Sequence, residues 1–373
     1  MRRRGRTFAA LVAVFIAVSP TAASAQPASP TPKPGGTPGV TSAAAILVSL
    51  PTGAPATDDA RVLFARRIHE ARSPASLTKV VTALVARDEY GIDDVVEASP
   101  LVLQTHGSDL GLEPGMRITV RNLLYSLMLK SANDAGMALA AHHPLGYEHF
   151  IALMNQKARS LGARNTHLRN PHGLDQIGHV SSAYDMALFT RELLRDPVLS
   201  AIVATKTHRM QLGGRARVFD HHHKMIGQYP GAVGVKTGFT AQAGHCLITA
   251  ARTAAGMAFS VVMNSQDHYA DTTALLDYGK ALEVRVTSGG GGIDVGPALA
   301  APPPIPQDAP IVAGAFRILD PRDDARWLFL MLALAGLTVA TVGIRRRSHP
   351  LRDAAEVLPW LEPLVPASER QPR

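Results

Sequence analysis

The sequence predicts an exported α/β sandwich whose first and last segments share one sheet, carried on a C-terminal membrane helix. Three observations lead there. Strand-like segments stand at both ends of residues 42–286, with amphipathic helices between them. A basic, apolar leader precedes this region. An uncharged apolar run long enough to span a bilayer follows it.

The leader opens with Arg2, Arg3, Arg4 and Arg6, continues through the mostly apolar stretch 8–18, and ends in Ala23-Ser24-Ala25. A basic n-region, a short apolar core and an A-x-A site make residues 1–25 a secretory signal peptide. Residues 26–41, rich in Pro, Gly and Thr, read as a tether. Residues 45–50 are the first strand. Ser73 is expected to cap a helix with Pro74 at its first position, running to about residue 87. Its Leu77, Val80, Val81, Leu84 and Val85 recur at helical spacing. Further helices are expected over 120–129, 135–141, 148–161 and 184–195. Strands are expected over 233–240, 245–251 and 258–263. A last helix, capped by Asp271, runs to about residue 282. Residues 287–326 hold four consecutive glycines and Pro302-Pro303-Pro304, too little apolar surface to fold alone. As a flexible linker they span roughly 35 Å. Residues 327–344 match the bilayer, with Trp327 at one interface and Arg345-Arg346-Arg347 marking the cytoplasmic side. The tail 345–373 is then cytoplasmic and residues 42–286 extracytoplasmic.

The net charge of +8 follows from this topology. Ten of the 38 basic residues fall in the leader or the tail, leaving 28 against 26 acidic residues in 26–326. With no basic-aromatic stripe, nucleic acid is not an expected partner. Cys246 is the only cysteine, so this exported chain relies on its core rather than on an internal disulfide.

The chemistry lies in three short motifs, in order: Ser76-Leu77-Thr78-Lys79, Ser131-Ala132-Asn133 and Lys236-Thr237-Gly238. Ser76, near a helix N-terminus, offers a nucleophilic hydroxyl and a free N–H for a developing oxyanion. Lys79, three residues on, shares its helix face and serves as the base if burial or a second cation lowers its pKa. Ser131, in a loop between helices, can relay a proton, and Asn133 can hold substrate backbone. Lys236 offers a cation and Thr237 a hydroxyl to a terminal carboxylate. Gly238 leaves room for substrate along a strand, and Phe239 adds a second oxyanion N–H. Alternation puts Lys236 and Thr237 on opposite faces, so both serve one site only from an edge strand. Neither metal nor cofactor is expected, because the adjacent histidines 221–223 cannot all face one ion. They read as a loop near the cleft rim, and His172 as structural.

With the flanking stretches 107–140, 170–175 (NPHGLD), 181–193 and 229–251, the chain resembles the low-molecular-weight penicillin-binding proteins, specifically the serine-type D-Ala-D-Ala carboxypeptidases of peptidase family S11. The resemblance covers about residues 42–285. It implies a β-lactamase/transpeptidase-like fold, a five-stranded antiparallel sheet flanked by helices with a helical subdomain. It also implies removal of the terminal D-alanine from peptidoglycan stem pentapeptides through a serine acyl-enzyme, with β-lactams as acylating inhibitors. Carried over by motif, Ser76 is the nucleophile, Lys79 its base, Ser131 and Asn133 line the cleft, and Lys236 and Thr237 hold the carboxylate.

Two departures matter. His221-His222-His223-Lys224 stands where the family often has an Asn-x-Asn pair. The family's common second, all-β domain has no room here. A class A β-lactamase would need a carboxylate to activate deacylating water; Thr166 occupies the plausible position and cannot do so. A DD-endopeptidase cutting cross-links uses the same residues and stays open, as does a non-catalytic penicillin-binding scaffold.

Overall fold

The computed structural model describes residues 37–51 and 60–287. The expected signal peptide, nearly all of the tether and linker, the membrane helix 327–344 and the tail lie outside the described residues. Among the described residues no helix is long and apolar enough to cross a membrane.

The chain begins with strands β1 (Ala44–Pro51) and β2 (Arg61–Arg66), then helix α1 (Lys79–Glu89). A small ribbon of β3 (Val95–Glu97) and β4 (Arg117–Thr119) leads into α2 (Val120–Tyr125). Helices α3 (Asn133–His142), α4 (Tyr147–Ser160), α5 (Ala183–Arg195) and α6 (Pro197–Val203) follow. A hairpin, β5 (Thr207–Leu212) and β6 (Arg215–Asp220), precedes β7 (Ala232–Thr240), β8 (Gly244–Thr253) and β9 (Gly256–Ser265). Helix α7 (His268–Thr287) closes the domain.

The main sheet is antiparallel, in the order β2-β1-β9-β8-β7. The expected sharing of one sheet by the terminal segments is therefore present, with Ala44 opposite Met263 and Val48 opposite Phe259. Period-two alternation sends β1 side chains to two separate cores. Ala44, Ile46 and Val48 join the large core with α1, α3, α4 and α5. Ala45 and Leu47 join a smaller one with Leu275 and Leu276 of α7. Strand β9 divides the same way, Phe259, Val261 and Met263 against Ala258 and Val262. A strand covered on both faces must be apolar at nearly every position, which is why these segments read as continuous apolar runs. Helices on both sides of the sheet give the expected three layers.

Three local expectations need correction. Ser73 caps no α-helix. Residues Ala75–Thr78 form a 3-10 turn, α1 starts only at Lys79, and the Ser73 hydroxyl donates to Asp175 Oδ1 at 3.0 Å. The helix expected over 120–129 is α2 followed by a π-helical turn, Ser126–Lys130. Asp271 lies inside α7 rather than before it. Strands β2 to β6 carried too little periodicity, at three to six residues each, to be anticipated.

Asp271 has a different task from capping. Its buried carboxylate accepts the Thr41 and Ser42 N–H groups, both at 2.7 Å, and the Ser265 hydroxyl at 2.7 Å. It thus ties the entry to β1, the end of β9 and α7 at one point. Charge-assisted hydrogen bonds of this kind are the strong ones, and truncation strands two backbone donors. We expect Asp271→Ala to lower unfolding stability by about 3 kcal/mol, read as a lower urea midpoint at unchanged m-value.

Candidate active site

The site is built where the 3-10 turn Ala75–Thr78 meets the outer edge of β7. Strand β7 pairs only with β8 in the sheet, so its other edge faces a cleft of about 360 Å³. Ser76, Ser131, Asn133, Thr237, Gly238 and Phe239 all line that cleft. The condition set by alternation, an edge strand beside the cleft, is met. Gly238 allows the close approach: a Cβ there would lie 3.2 Å from the Ser76 nitrogen.

Lys79 is fully buried behind Ser76. Its Nζ donates to Ser76 Oγ at 2.8 Å, to Asn133 Oδ1 at 2.7 Å and to the His172 carbonyl at 2.6 Å. Burial pushes its pKa well below the ordinary lysine range. The Lys236 charge pushes the same way, and Asp134 opposes. Two of its three partners are pure acceptors. Only the Ser76 hydroxyl can donate as well as accept, so when Lys79 loses a proton its lone pair has one useful direction, toward Ser76 O–H. The arrangement makes a neutral amine the natural base for this serine.

The 170–175 segment supplies the back wall. Asn170 Oδ1 accepts the Gly173 N–H at 2.7 Å, and its Nδ2 donates to the Leu174 carbonyl at 3.0 Å, closing the loop on itself. Helix α1 docks on the buried carbonyls of this loop: Thr82 Oγ1 donates to Pro171 O at 2.7 Å, one turn beyond Lys79 on His172 O. Gly173 has φ +89°, and a Cβ there would fall 1.8 Å from the Ala75 carbonyl oxygen, so only glycine fits. Asp175 accepts from the hydroxyls of Ser73 and Thr240, at 3.0 and 2.7 Å, joining the nucleophile turn to the end of β7. On the same turn the Thr78 hydroxyl donates to Ala75 O at 2.8 Å and receives His179 Nε2–H at 2.8 Å. Burial holds that imidazole's pKa down, at about 4, and His172's at about 3, so both are neutral structural groups. The structural reading of His172 holds for its ring, while its carbonyl serves the base.

Ser131 and Ala75 are two of four non-glycine residues with positive φ among the described residues, at +64° and +47°. Backbone strain of this kind costs of order 1 kcal/mol and persists where the surroundings demand it. Ser131 lines the cleft at the end of the π turn, and Ala75 directly precedes Ser76 in the 3-10 turn.

Two expected substrate contacts have protein partners of their own. Asn133 has its amide oxygen on Lys79 and its Nδ2 on the His106 carbonyl at 2.5 Å, so it positions the base. Lys236 is fully buried and does not line the cleft. Its Nζ donates to the Thr237 carbonyl at 2.8 Å, and burial lowers its pKa to about 7. It is a titratable group acting on Lys79 and on the β7 backbone rather than an exposed fixed cation. The histidines 221–223 also divide. His222 lines the cleft, while His223 is buried with Nε2 on the Ile248 carbonyl at 3.0 Å.

Asp134 and Asp175 escaped sequence reading. Asp134 follows the motif residue Asn133 and is buried; its carboxylate accepts the N–H groups of Leu110, Gly111 and Leu112, fixing the loop above the cleft. Their signal was present in the flanking stretches, but nothing in a single sequence says which distant N–H groups a carboxylate will meet. Thr166 is held by Ser181 and the Asp185 carboxylate, both at 2.8 Å, and among the described residues no Asp or Glu lines the cleft.

Residues 31–267 match the model of peptidase S11, D-alanyl-D-alanine carboxypeptidase. The chain belongs to this family. It is 34% identical over 230 residues to the D-alanyl-D-alanine carboxypeptidase DacF of Bacillus subtilis, covering 59% of each chain. It is 35% identical over 240 residues to DacB2 of Mycobacterium tuberculosis, covering 62% of this chain and 82% of that one. The chain thus spans about three-fifths of the length of DacF and four-fifths of DacB2. A crystal structure of a D-alanyl-D-alanine carboxypeptidase from M. tuberculosis superposes with a TM-score of 0.61 at 32% identity, covering 67% of this chain and 96% of that one. The Streptomyces K15 DD-transpeptidase gives 0.60 at 26% identity, over 66% and 99%. The five-stranded antiparallel sheet with its helices is the fold of these DD-peptidases.

The coupling of the two lysines is open to test. A neighbouring cation lowers the pKa of Lys79, so removing it raises that pKa and shrinks the neutral fraction at a given pH. We expect Lys236→Met to move the acid limb of the Ser76 acylation rate to higher pH, measured with a β-lactam across pH 5–9. A limb that stays in place would show that Lys236 does not act on the base.

Proposed function

We propose that this S11 member is a membrane-anchored serine DD-carboxypeptidase that removes the terminal D-alanine from peptidoglycan stem pentapeptides and is acylated by β-lactams. The observation that carries this reading is the three-acceptor seat of Lys79, which directs a neutral amine at Ser76. Lys79 takes the Ser76 proton as Oγ attacks the carbonyl of the penultimate residue. The oxyanion is received by the Ser76 N–H and the Phe239 N–H of β7. The Ser131 hydroxyl, in the same cleft, passes the proton to the leaving amine. Water then hydrolyses the ester with Lys79 as base again, returning free carboxylic acid and Ser76.

The terminal carboxylate lies at Thr237, with the buried Lys236 behind it supplying positive potential. Opposite charge favours the protonated lysine, so a bound carboxylate and Lys236 reinforce one another. Thr166, and the lack of a lining carboxylate among the described residues, speak against a β-lactamase, whose turnover needs an activated deacylating water. The leader, the run 327–344 and its three following arginines support an extracytoplasmic catalytic domain on a single-pass anchor, with the C-terminus in the cytoplasm.

We expect the full chain to release D-alanine from a stem pentapeptide, and Ser76→Ala to abolish both release and the β-lactam adduct seen by intact-mass spectrometry. Cleavage of a cross-linked dimer alone would replace the carboxypeptidase reading with the endopeptidase one. In fractionated cells the chain is expected in the membrane pellet, and deletion of 327–344 is expected to release it. Retention of the deleted form in the pellet would remove the anchor from that segment.

A further inference from the structure

The hairpin β5–β6 and the residues flanking it concentrate positive charge. Residues 206–224 hold Lys206, Arg209, Arg215, Arg217 and Lys224 against one acidic residue, Asp220. Residues 26–326 as a whole hold 28 basic against 26 acidic residues, so the remainder is net negative. Asp220 is engaged by the Thr207 hydroxyl at 2.6 Å. Arg209, Arg215 and Arg217 are all exposed, and among the described residues none of them has an ion-pair partner. The acyl-transfer steps use none of these side chains.

The ribbon itself is firmly seated. Met210 and Leu212 are buried in the large core. His208 stacks on Tyr125 at 3.7 Å with planes 6° apart, and its Nε2–H donates to Asn122 Oδ1 at 2.9 Å. Register sets Arg217 opposite Met210, Arg215 opposite Leu212 and Arg209 opposite Val218. Opposed residues share a face, so cations stand on both faces of the ribbon. Strand β6 pairs only with β5 among the described residues, and residues 215–218 are all exposed, so its outer edge is open. One charge suffices to deter pairing at such an edge; three unpaired arginines exceed that task. Guanidinium forks match phosphate oxygens two at a time. Cations on both faces suit a thread passing along the open edge, whereas a bilayer meets one face. No exposed residue of the ribbon carries a ring on which a nucleobase could stack, and Phe219 is partly buried against His208. Two residues beyond β6, His222 lines the cleft, so a chain held here lies beside the cleft mouth. We infer that the β5–β6 ribbon is a binding surface for a linear phosphodiester polymer, held by Arg209, Arg215 and Arg217 and independent of the acyl-transfer chemistry.

The test measures binding of fluorescent poly(glycerol phosphate) to the full chain in non-ionic detergent, by anisotropy and with no peptide substrate present. Binding is expected, weakening about 20-fold as salt rises from about 50 to about 200 mM, as for some three neutralised phosphates. The triple variant Arg209→Gln/Arg215→Gln/Arg217→Gln is expected to bind about tenfold or more weakly, with a salt slope shallower by about two. Its thermal melt and its β-lactam acylation at Ser76 are expected to be unchanged. No binding by the native chain, or equal binding by the folded triple variant, overturns the surface. Full displacement by inorganic phosphate at equal total phosphate reduces it to a single-ion site and overturns the polymer. Equal displacement by phosphatidylglycerol in mixed micelles hands the ribbon to a membrane, and tighter binding of oligothymidylate hands it to nucleic acid; either overturns the proposal. No arm of the binding measurement needs turnover, so a failed D-alanine release assay would remove the peptidase reading and leave this surface standing.

Discussion

A lysine amine sealed from water, whose hydrogen bonds go to one hydroxyl, one side-chain amide oxygen and one backbone carbonyl, is the constraint on which this site depends. Burial of a charged ammonium is costly, so the seat of Lys79 favours the neutral form. The seat works only if its acceptors are fixed, because a wandering acceptor would let the lone pair turn away from Ser76. Much of the surrounding architecture holds them: Asn133 is pinned through His106, and the His172 carbonyl through the Asn170 loop and Thr82. The catalytic serine is the least elaborate part of this arrangement.

The two lysines divide one problem between them. In the proposed reaction Lys79 needs a low pKa to act as a base, and Lys236 needs positive charge to favour a carboxylate. Burial lowers the pKa of both, and the Lys236 charge lowers that of Lys79 further. Asp134, close enough to raise the Lys79 pKa while its oxygens serve three loop N–H groups, keeps this repulsion from going unanswered. An incoming carboxylate would rebalance the pair toward a charged Lys236 and a neutral Lys79, the protonation state that acylation requires.

What could be read from sequence follows the range of the interaction. The strands β1, β7, β8 and β9 and the helices α3, α4 and α5 were legible because burial on one or two faces prints a period into neighbouring residues. The three motifs were legible because their chemistry rests on fixed local spacing. Ser73 and Asp271 were misread for one reason: both are good capping residues by local rules, yet each found a stronger partner far away, Asp175 and the Thr41–Ser42 backbone. The hydrogen-bond partners of Asn133 and Lys236 were not legible, because residue type suggests what a group can bind, while only packing decides which neighbours it meets. Gly173 shows the same limit, since its necessity lies in a carbonyl almost a hundred residues earlier.

The pairing of β1 with β9 has a consequence for how the molecule comes into being. The segment AAILVSLP leaves the ribosome, and crosses a membrane if exported, about 200 residues before the strand that covers it. Contacts so distant in sequence close late and at a high entropic cost. Throughout that interval an apolar edge lies open to pairing with any other chain. The intervening helices can condense first from local contacts. The sheet, and with it the outer edge of β7 on which the cleft depends, is then completed only when the final hairpin arrives.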